Sequence, residues 1–384
     1  MHINPNIRSE FYLEDGMTFL NNGSFGAVPQ TVRAVQEEFR LQFERQPVRF
    51  VQRELPGLLR STASILGDFI GARGVDIAFV ENASTGITAV VRSMIPFLKS
   101  GDEILTTSHV YGAVRQTLIL AAEHSGAKLV EVSVPFPIEG PEQVINAFKS
   151  AISENTKFAV LDHITSPTGI IYPIEELVAI CKQYEIAILV DGAHAPGMVE
   201  LNLDKLGADW YTGNCHKWLF APKGSAFLWT HPDNQTITHP TVISHKYKLG
   251  YTEEFDWTGT QDFSSFLSIP AGIDFFNNHG GADLRTSNRA LAIEARNIIA
   301  SAWSKPHPAP DEMLGFMAAV EAPIETTGTP EEAQELHDWL WDIHRIEVPV
   351  MPLDGKLWIR ISAQIFNTRD EYQVLAHAFD KRGL

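Results

Sequence analysis

Cysteine is nearly absent from this chain. Its 384 residues include two, Cys181 and Cys215, too few for a disulfide framework and suited to a reducing compartment. No Cys/His cluster has structural-zinc spacing. Positive charge is scarce as well: 30 Lys and Arg stand against 47 Asp and Glu, a net −17. Nucleic acids and anionic membranes both require a basic footprint, so neither is an expected partner. The apolar runs are broken by Gly, Pro or charge before they reach membrane-spanning length. Residues 1–6 show no basic segment leading into an apolar run, so no signal peptide is expected. Three further absences narrow the chemistry. There is no Walker-type glycine loop, no GxGxxG fingerprint and no GxSxG nucleophile elbow, which leaves a Ser/His/Asp hydrolase without local support. The expectation is a soluble, cytoplasmic, acidic α/β protein.

What is present supports a large core, with 44% hydrophobic residues over a length that suggests two or three domains. Strand-like runs at 76–80, 103–107, 128–134, 157–162, 186–191, 208–212 and 225–229 alternate with amphipathic stretches such as 85–98, 112–124, 141–150 and 173–184. That alternation predicts crossover units and a mostly parallel sheet. A loop, not a helix, joins the last two runs, so one edge is expected to be antiparallel. Two helical patterns, 30–45 and 54–70, precede the sheet, and Pro47 blocks their fusion. The polar stretch 231–245, with His231, His239 and His245, reads as a surface loop. From about residue 263 the composition changes. A long helix at 282–303 leads through a Pro-rich linker, 304–310, to short strands near 315–320, 345–350 and 356–362 and helices at 330–343 and 368–381. This is a second, smaller α+β domain. No internal repeat or low-complexity tract occurs.

Chemistry concentrates in one stretch. The run Ile186-Ala187-Ile188-Leu189-Val190-Asp191 is followed by Gly192-Ala193-His194, and Asn214-Cys215-His216-Lys217-Trp218 comes next. An acid at the C-terminal end of a buried strand sits where α/β sheets place their ligands. A lysine packed among His216, Trp218 and Leu219 loses part of its solvation, which lowers its pKa and frees the amine for Schiff-base chemistry. Asp191 and Lys217 are the two protein groups that pyridoxal phosphate needs, one for the pyridinium nitrogen and one for the covalent attachment. Asn82-Ala83-Ser84-Thr85-Gly86 opens a helix after a strand and suits an anion site, although Ser84 or Thr85 could simply cap the helix. Ser108-His109-Val110-Tyr111-Gly112 offers an aromatic for a planar ring. Asp162-His163-Ile164-Thr165-Ser166-Pro167-Thr168-Gly169 brings a hydroxyl to the same sheet edge, where a plain turn is equally consistent. Trp257-Thr258-Gly259-Thr260-Gln261 lies in a polar segment. Arg360, amid Leu357-Trp358-Ile359 and Ile361-Ser362, needs an anionic partner if buried, either a substrate carboxylate or a structural carboxylate.

Together these segments resemble the class V, fold type I pyridoxal-phosphate enzymes, which include cysteine desulfurases, serine–glyoxylate-type aminotransferases and isopenicillin N epimerase-like proteins. The resemblance spans nearly the whole chain. It rests on the ordered set Asn-Ala-Ser-Thr, His-Val-Tyr, Asp-Gly-Ala-His, Asn-Cys-His-Lys, Thr-Gly-Thr and Arg-Ile-Ser. Leu20-Asn21-Asn22-Gly23-Ser24-Phe25-Gly26 and Pro47-Val48-Arg49-Phe50 turn it toward the isopenicillin N epimerase-like branch.

The resemblance implies a seven-stranded, mostly parallel sheet with helices on both faces and a smaller C-terminal α+β domain. It divides the chain into an N-terminal segment 1–20 packing on the small domain, a cofactor domain 21–265 and a small domain 266–384. It implies that Lys217 carries an internal aldimine and serves as acid/base, that Asp191 holds the pyridine nitrogen protonated, and that Tyr111, ahead of His109, stacks on the ring. His194 and Ser166 match positions near the 3-hydroxyl. Ser84, Thr85, Asn214 and His216 match phosphate contacts, and Thr260 reaches a neighbouring subunit's phosphate. Arg360 matches the arginine for the substrate α-carboxylate, with Asn22, Ser24 and Arg49 at the substrate mouth. A homodimer with shared active sites, acting on a small amino acid, follows by the same analogy. No cysteine lies beyond Cys215, which disfavours a cysteine desulfurase. The expected activity is epimerase or Cβ–S lyase type, ahead of an aminotransferase. A non-catalytic binding protein of this fold and a nucleotide-dependent α/β enzyme are the remaining alternatives.

Overall fold

The structure is a computed structural model that describes residues 7–381; the stretch 1–6, read above for a targeting signal, and residues 382–384 lie outside it. The strands in chain order are β1 (Thr18–Phe19), β2 (Ile77–Val80), β3 (Glu103–Thr107), β4 (Lys128–Val132), β5 (Thr156–Asp162), β6 (Ala187–Asp191), β7 (Trp210–Asn214), β8 (Ala226–Thr230), β9 (Met317–Glu321), β10 (Ile346–Glu347), β11 (Val350–Leu353) and β12 (Lys356–Ser362). Seven of them form one sheet in the order β2-β8-β7-β6-β5-β3-β4. Strands β3 to β7 run parallel. Residues of β3, β5, β6 and β7 are buried in near-continuous runs, as expected where helices cover both faces of a sheet, while β4 at the edge is only partly buried.

The expected antiparallel edge is displaced by one strand. Strand β8 runs antiparallel to both β7 and β2, and β2 closes the sheet outside it. A short connection cannot make a parallel crossover; the chain leaving β7 turns back at once through the helix Cys215–Trp218. Strand β7 also starts two residues later than its pattern suggests. The carboxylate of Asp209 is used in the turn, where it accepts the Ile188 N–H at 2.8 Å and pairs with Lys182 at 2.8 Å.

The helix Gln30–Arg45 ends as expected before Pro47, with Gln46 leaving helical geometry at φ −158° and ψ 80°. The chain then re-enters a helix at Pro47–Arg49 and passes through one wide turn, Phe50–Glu54, into Leu55–Ile70. Among the helices not anticipated are Tyr251–Asp256, Ser264–Leu267 and Ile269–Asn278. The polar stretch 231–245 contains a 3-10 helix, Pro232–Ile237.

Near the C-terminus, β11, β12 and β9 form an antiparallel sheet with β12 central, and β1 pairs with β10 in parallel. The single strand expected at 345–350 is thus two strands. Pro349 lies between them; it has no N–H for a ladder, and its carbonyl accepts the Arg360 N–H at 3.1 Å. The N-terminal segment reaches elements of both parts of the chain. Arg8 pairs with Glu371 at 3.1 Å, while the Phe11 ring lies 4.9 Å from Phe366 and 6.1 Å from Phe220. One apolar core runs through both sheets. Among the described residues no helix is long and apolar enough to cross a membrane.

Candidate active site

The site forms where the parallel strands end. Strands β5 and β6 finish side by side on Asp162 and Asp191, which are register partners. Strand β7 finishes on Asn214, and the helix Cys215–Trp218 follows without a loop. That join delivers Lys217 to the sheet edge. Its Nζ lies 3.0 Å from His194 Nε2, and His194 Nδ1 lies 3.3 Å from Trp218 Nε1. An indole N–H only donates, so Nδ1 is the acceptor and the neutral imidazole carries its proton on Nε2. The proton on Nε2 then points at an amine that accepts it through a lone pair, which requires Lys217 to be uncharged. The electrostatics agree. Burial, helped by the nearby Arg360 cation and opposed by Asp191, brings the Lys217 pKa down to about 7. Burial foremost, with the nearby Arg360 cation, holds His194 well below its ordinary range.

Close packing supports this arrangement. A Cβ on Gly192 would lie 2.2 Å from the Tyr211 ring, so only glycine allows Asp191 and His194 to flank that position. Asn22 clamps the lysine from the backbone side: its Nδ2 donates to the Lys217 carbonyl at 2.9 Å and its Oδ1 accepts the Ala27 N–H at 2.9 Å. Gly26, at φ 71°, passes so close to His216 that a Cβ would lie 1.8 Å from its carbonyl oxygen.

At the other end, the helix Ala83–Met94 points its N-terminus at the cavity. Asn82 is its cap, accepting the Thr85 N–H at 2.9 Å, and Asn214 Oδ1 accepts the Ala83 N–H at 2.9 Å. The capping task expected of Ser84 or Thr85 therefore falls to Asn82. His216 donates from Nδ1 to the Ser225 carbonyl at 3.0 Å, and burial lowers its pKa to about 4.

Arg360 approaches from the central strand of the small sheet. It is 3% exposed. Nη1 donates to the Ser166 carbonyl at 2.5 Å and to its Oγ at 3.2 Å, Nη2 donates to Ser24 Oγ at 3.4 Å, and Nε has no partner. Among the described residues no carboxylate pairs with it, which removes the structural ion pair as its explanation. Burial lowers its pKa to about 10, still a cation at neutral pH. Its charge is therefore available to an anion brought in from outside.

Lys217, His194, Asn82, Asn214, His216, Ser24 and Ser166 border one cavity of about 440 Å³, within the usual size range of ligand sites. The aminotransferase class-V family model matches residues 20–305. The chain belongs to the aminotransferase class-V family. It is 31% identical to isopenicillin N epimerase of Amycolatopsis lactamdurans over 97% of each chain. It is also 31% identical to an L-cysteine desulfhydrase of Arabidopsis thaliana over 97% of this chain and 89% of that protein. Its fold matches C-DES, solved as a lysine variant with glycine covalently linked to its PLP cofactor. The TM-score is 0.77 at 19% identity, covering 96% of this chain and 97% of that one. This class-V protein is a pyridoxal-phosphate-dependent enzyme of transferase fold type I.

The class-V cavity fits that cofactor on its own residues. It offers a buried amine on Lys217 with its pKa lowered to about 7, a buried acid on Asp191 for the pyridine nitrogen, and N–H groups with the Lys223 side chain at its other end. Of the residues singled out in the sequence, Ser24, Ser84, Tyr111 and Ser166 reach its wall, as do Asp191, His194, Asn214, His216 and Lys217. Arg360 stands behind Ser24 and Ser166. Five others do not reach it. His109 is buried and held by Thr168 at 3.0 Å and the Val134 carbonyl at 3.2 Å, edge-on to Phe136, so its ring is occupied as core. Thr85 spends its N–H on the Asn82 cap. Asn22 acts through the Lys217 backbone. Arg49 is exposed and paired with Glu54 at 2.8 Å. Thr260 sits exposed in the loop after Asp256.

Sequence reasoning missed Phe25, Glu81, Asp162 and Lys223, all on the cavity wall. Lys223 had a signal in Pro222-Lys223-Gly224, a turn close behind the reactive lysine. Phe25 and Glu81 had none beyond adjacency to motifs. Burial raises the thiol of Cys215 far above its ordinary range and that of Cys181 to about 12, which fits structural roles for both. Among the described residues no His, Cys, Asp and Glu cluster could hold a metal ion.

Proposed function

We propose that this enzyme cleaves or inverts bonds at Cα and Cβ of a small α-amino acid, with Cβ–S lyase activity as its principal reaction. The observation that carries this reading is the pairing of Lys217, its pKa lowered to about 7 on the cavity wall, with a charged, carboxylate-free Arg360 directly behind Ser24 and Ser166 of the same wall. Lys217 supplies the amine for covalent cofactor attachment and the base that takes the Cα proton. Asp191, whose pKa burial raises and whose carboxylate form the Ala193 N–H at 2.9 Å favours, pairs with the pyridine nitrogen and keeps it protonated. When bound, pyridoxal phosphate supplies a sink for the electrons released at Cα. Ser84, Asn214, His216 and Lys223 hold its phosphate with the N-terminus of the helix Ala83–Met94. Ser166 and His194 orient the 3-hydroxyl. Arg360 takes the substrate carboxylate bidentately, with Ser24 fixing one edge of its guanidinium.

A lyase needs one well-placed base and a proton for the leaving sulfur, and Lys217 meets the first need. The similarity to an L-cysteine desulfhydrase supports the same choice. Epimerisation needs a second proton donor. Tyr111, an O–H on the cavity wall and 47% exposed, is the residue that favours this second reading. A homodimer that brings Thr260 of one protomer to its neighbour's phosphate and a cytoplasmic location complete the proposal. The test is an amino-acid panel on purified enzyme. Pyruvate with sulfide or thiol supports the lyase, inverted amino acid supports the epimerase, and keto acid with pyridoxamine phosphate as the sole product contradicts both.

A further inference from the structure

The cavity contains a second buried acid that the proposed chemistry leaves unused. Asp162 ends β5 beside Asp191 on β6 in direct register. Register partners on parallel strands project to the same face, about 5 Å apart. Both side chains line the cavity. Asp162 is 3% exposed, and its Oδ2 has no hydrogen-bond partner. Burial raises the pKa of Asp191 too, which is 4% exposed, but Asp191 accepts the Ala193 N–H at 2.9 Å, a donor that opposes the burial and that the Oδ2 of Asp162 lacks.

We infer that Asp162 is a positioning residue that remains a neutral carboxylic acid, so that the pair carries one negative charge, on Asp191, and presents one O–H donor to the bound cofactor. This rests on the cofactor reading above. Two carboxylates this close in a buried site do not both ionise. When the environments of such a pair differ, the group without a donor keeps the proton. The surroundings favour the acid form, with only the backbone N–H of Asp162 itself opposing it. Burial and the Asp191 charge both push the Asp162 pKa well up. His163, next in the chain, is neutral and committed to Tyr211 at 2.8 Å. Tyr211 and Tyr172 are buried phenols held protonated. Lys217 and Arg360 act on Asp191 and the amine end. No cation pairs with Asp162 among the described residues. An ionised Asp162 would add a second charge beneath the cofactor; as a neutral acid it leaves the Asp191–pyridinium pair balanced and supplies a donor.

The test compares Asp162→Asn, which keeps a donor and removes the titration, with Asp162→Leu, which removes both. Infrared difference spectra of the holoenzyme, wild type minus Asp162→Asn, are expected to show a protonated-carboxyl band at pH 7. A carboxylate band in its place would overturn the inference. Asp162→Asn is expected to bind pyridoxal phosphate within about threefold of wild type, and Asp162→Leu about tenfold more weakly or worse, the cost of an unmatched buried polar group. Equal losses in both variants would show that a charge at residue 162 is required and would also overturn it. The infrared band can be read without cofactor, so it decides Asp162 even if the protein binds no pyridoxal phosphate and the proposed function fails. Should Asp162→Leu not fold, the band and the Asn variant still decide.

Discussion

Two buried basic residues serve the same cavity from different sheets, Lys217 on its wall and Arg360 behind Ser24 and Ser166, and burial treats them differently. Lys217, at the edge of the seven-stranded sheet, falls to about 7; Arg360, in the centre of the three-stranded sheet, falls to about 10. An ammonium concentrates its charge on one nitrogen and is strongly hydrated, so desolvation removes its proton readily. A guanidinium spreads its charge and starts from a much higher pKa. The Ser166 carbonyl and the Ser166 and Ser24 hydroxyls suit a donor fork, whereas His194 offers Lys217 a donor and so favours the neutral amine. The large sheet thus contributes a nucleophile and the small sheet an anion receptor.

Exchanging the two chemistries should break the site. Lys217→Ala or Lys217→Arg is expected to lower turnover by about 10³-fold or more, since neither leaves a free amine; steady-state assays check this, and near-normal turnover would remove Lys217 from the reaction. Arg360→Ala is expected to raise KM by about 10- to 100-fold, the cost of a lost charge-assisted pair. Arg360→Lys should be nearly as damaging, because a lysine there would be desolvated as Lys217 is. An unchanged KM in both would take the carboxylate from Arg360. The lysine end has its own pH signature. Below a pH of about 7 Lys217 is protonated and cannot attack, so the rate of cofactor uptake by the ligand-free protein should fall about tenfold per pH unit there and level off above. A midpoint near an ordinary lysine value would show that the amine is solvated. The smallest effect is expected at Asn82→Ala, which removes the cap of Ala83–Met94 and costs about 1 kcal/mol, read by denaturant unfolding.

The sheet and the main groups of the site were legible because their signals are local. Buried strands show as apolar runs, and Asp191 and Lys217 stand at fixed points of such runs. What was hidden depends on packing between distant segments. His109 and Tyr111 sit two residues apart, and only the positions of Thr168 and Phe136 send the histidine inward and leave the tyrosine on the cavity. The role of Asn22 is invisible until the N-terminal segment lies on the helix Cys215–Trp218. Asp162 reads as the end of a strand until register sets it beside Asp191. Pro349 could have divided β10 from β11 in advance, since a proline inside a strand pattern argues against a single strand.

The most direct test is to reduce the purified protein with borohydride and map the modified peptide. A pyridoxyl group on Lys217, with loss of the visible absorbance band, is the predicted result. Label on another lysine, or a protein that stays colourless after addition of pyridoxal phosphate, would contradict the account.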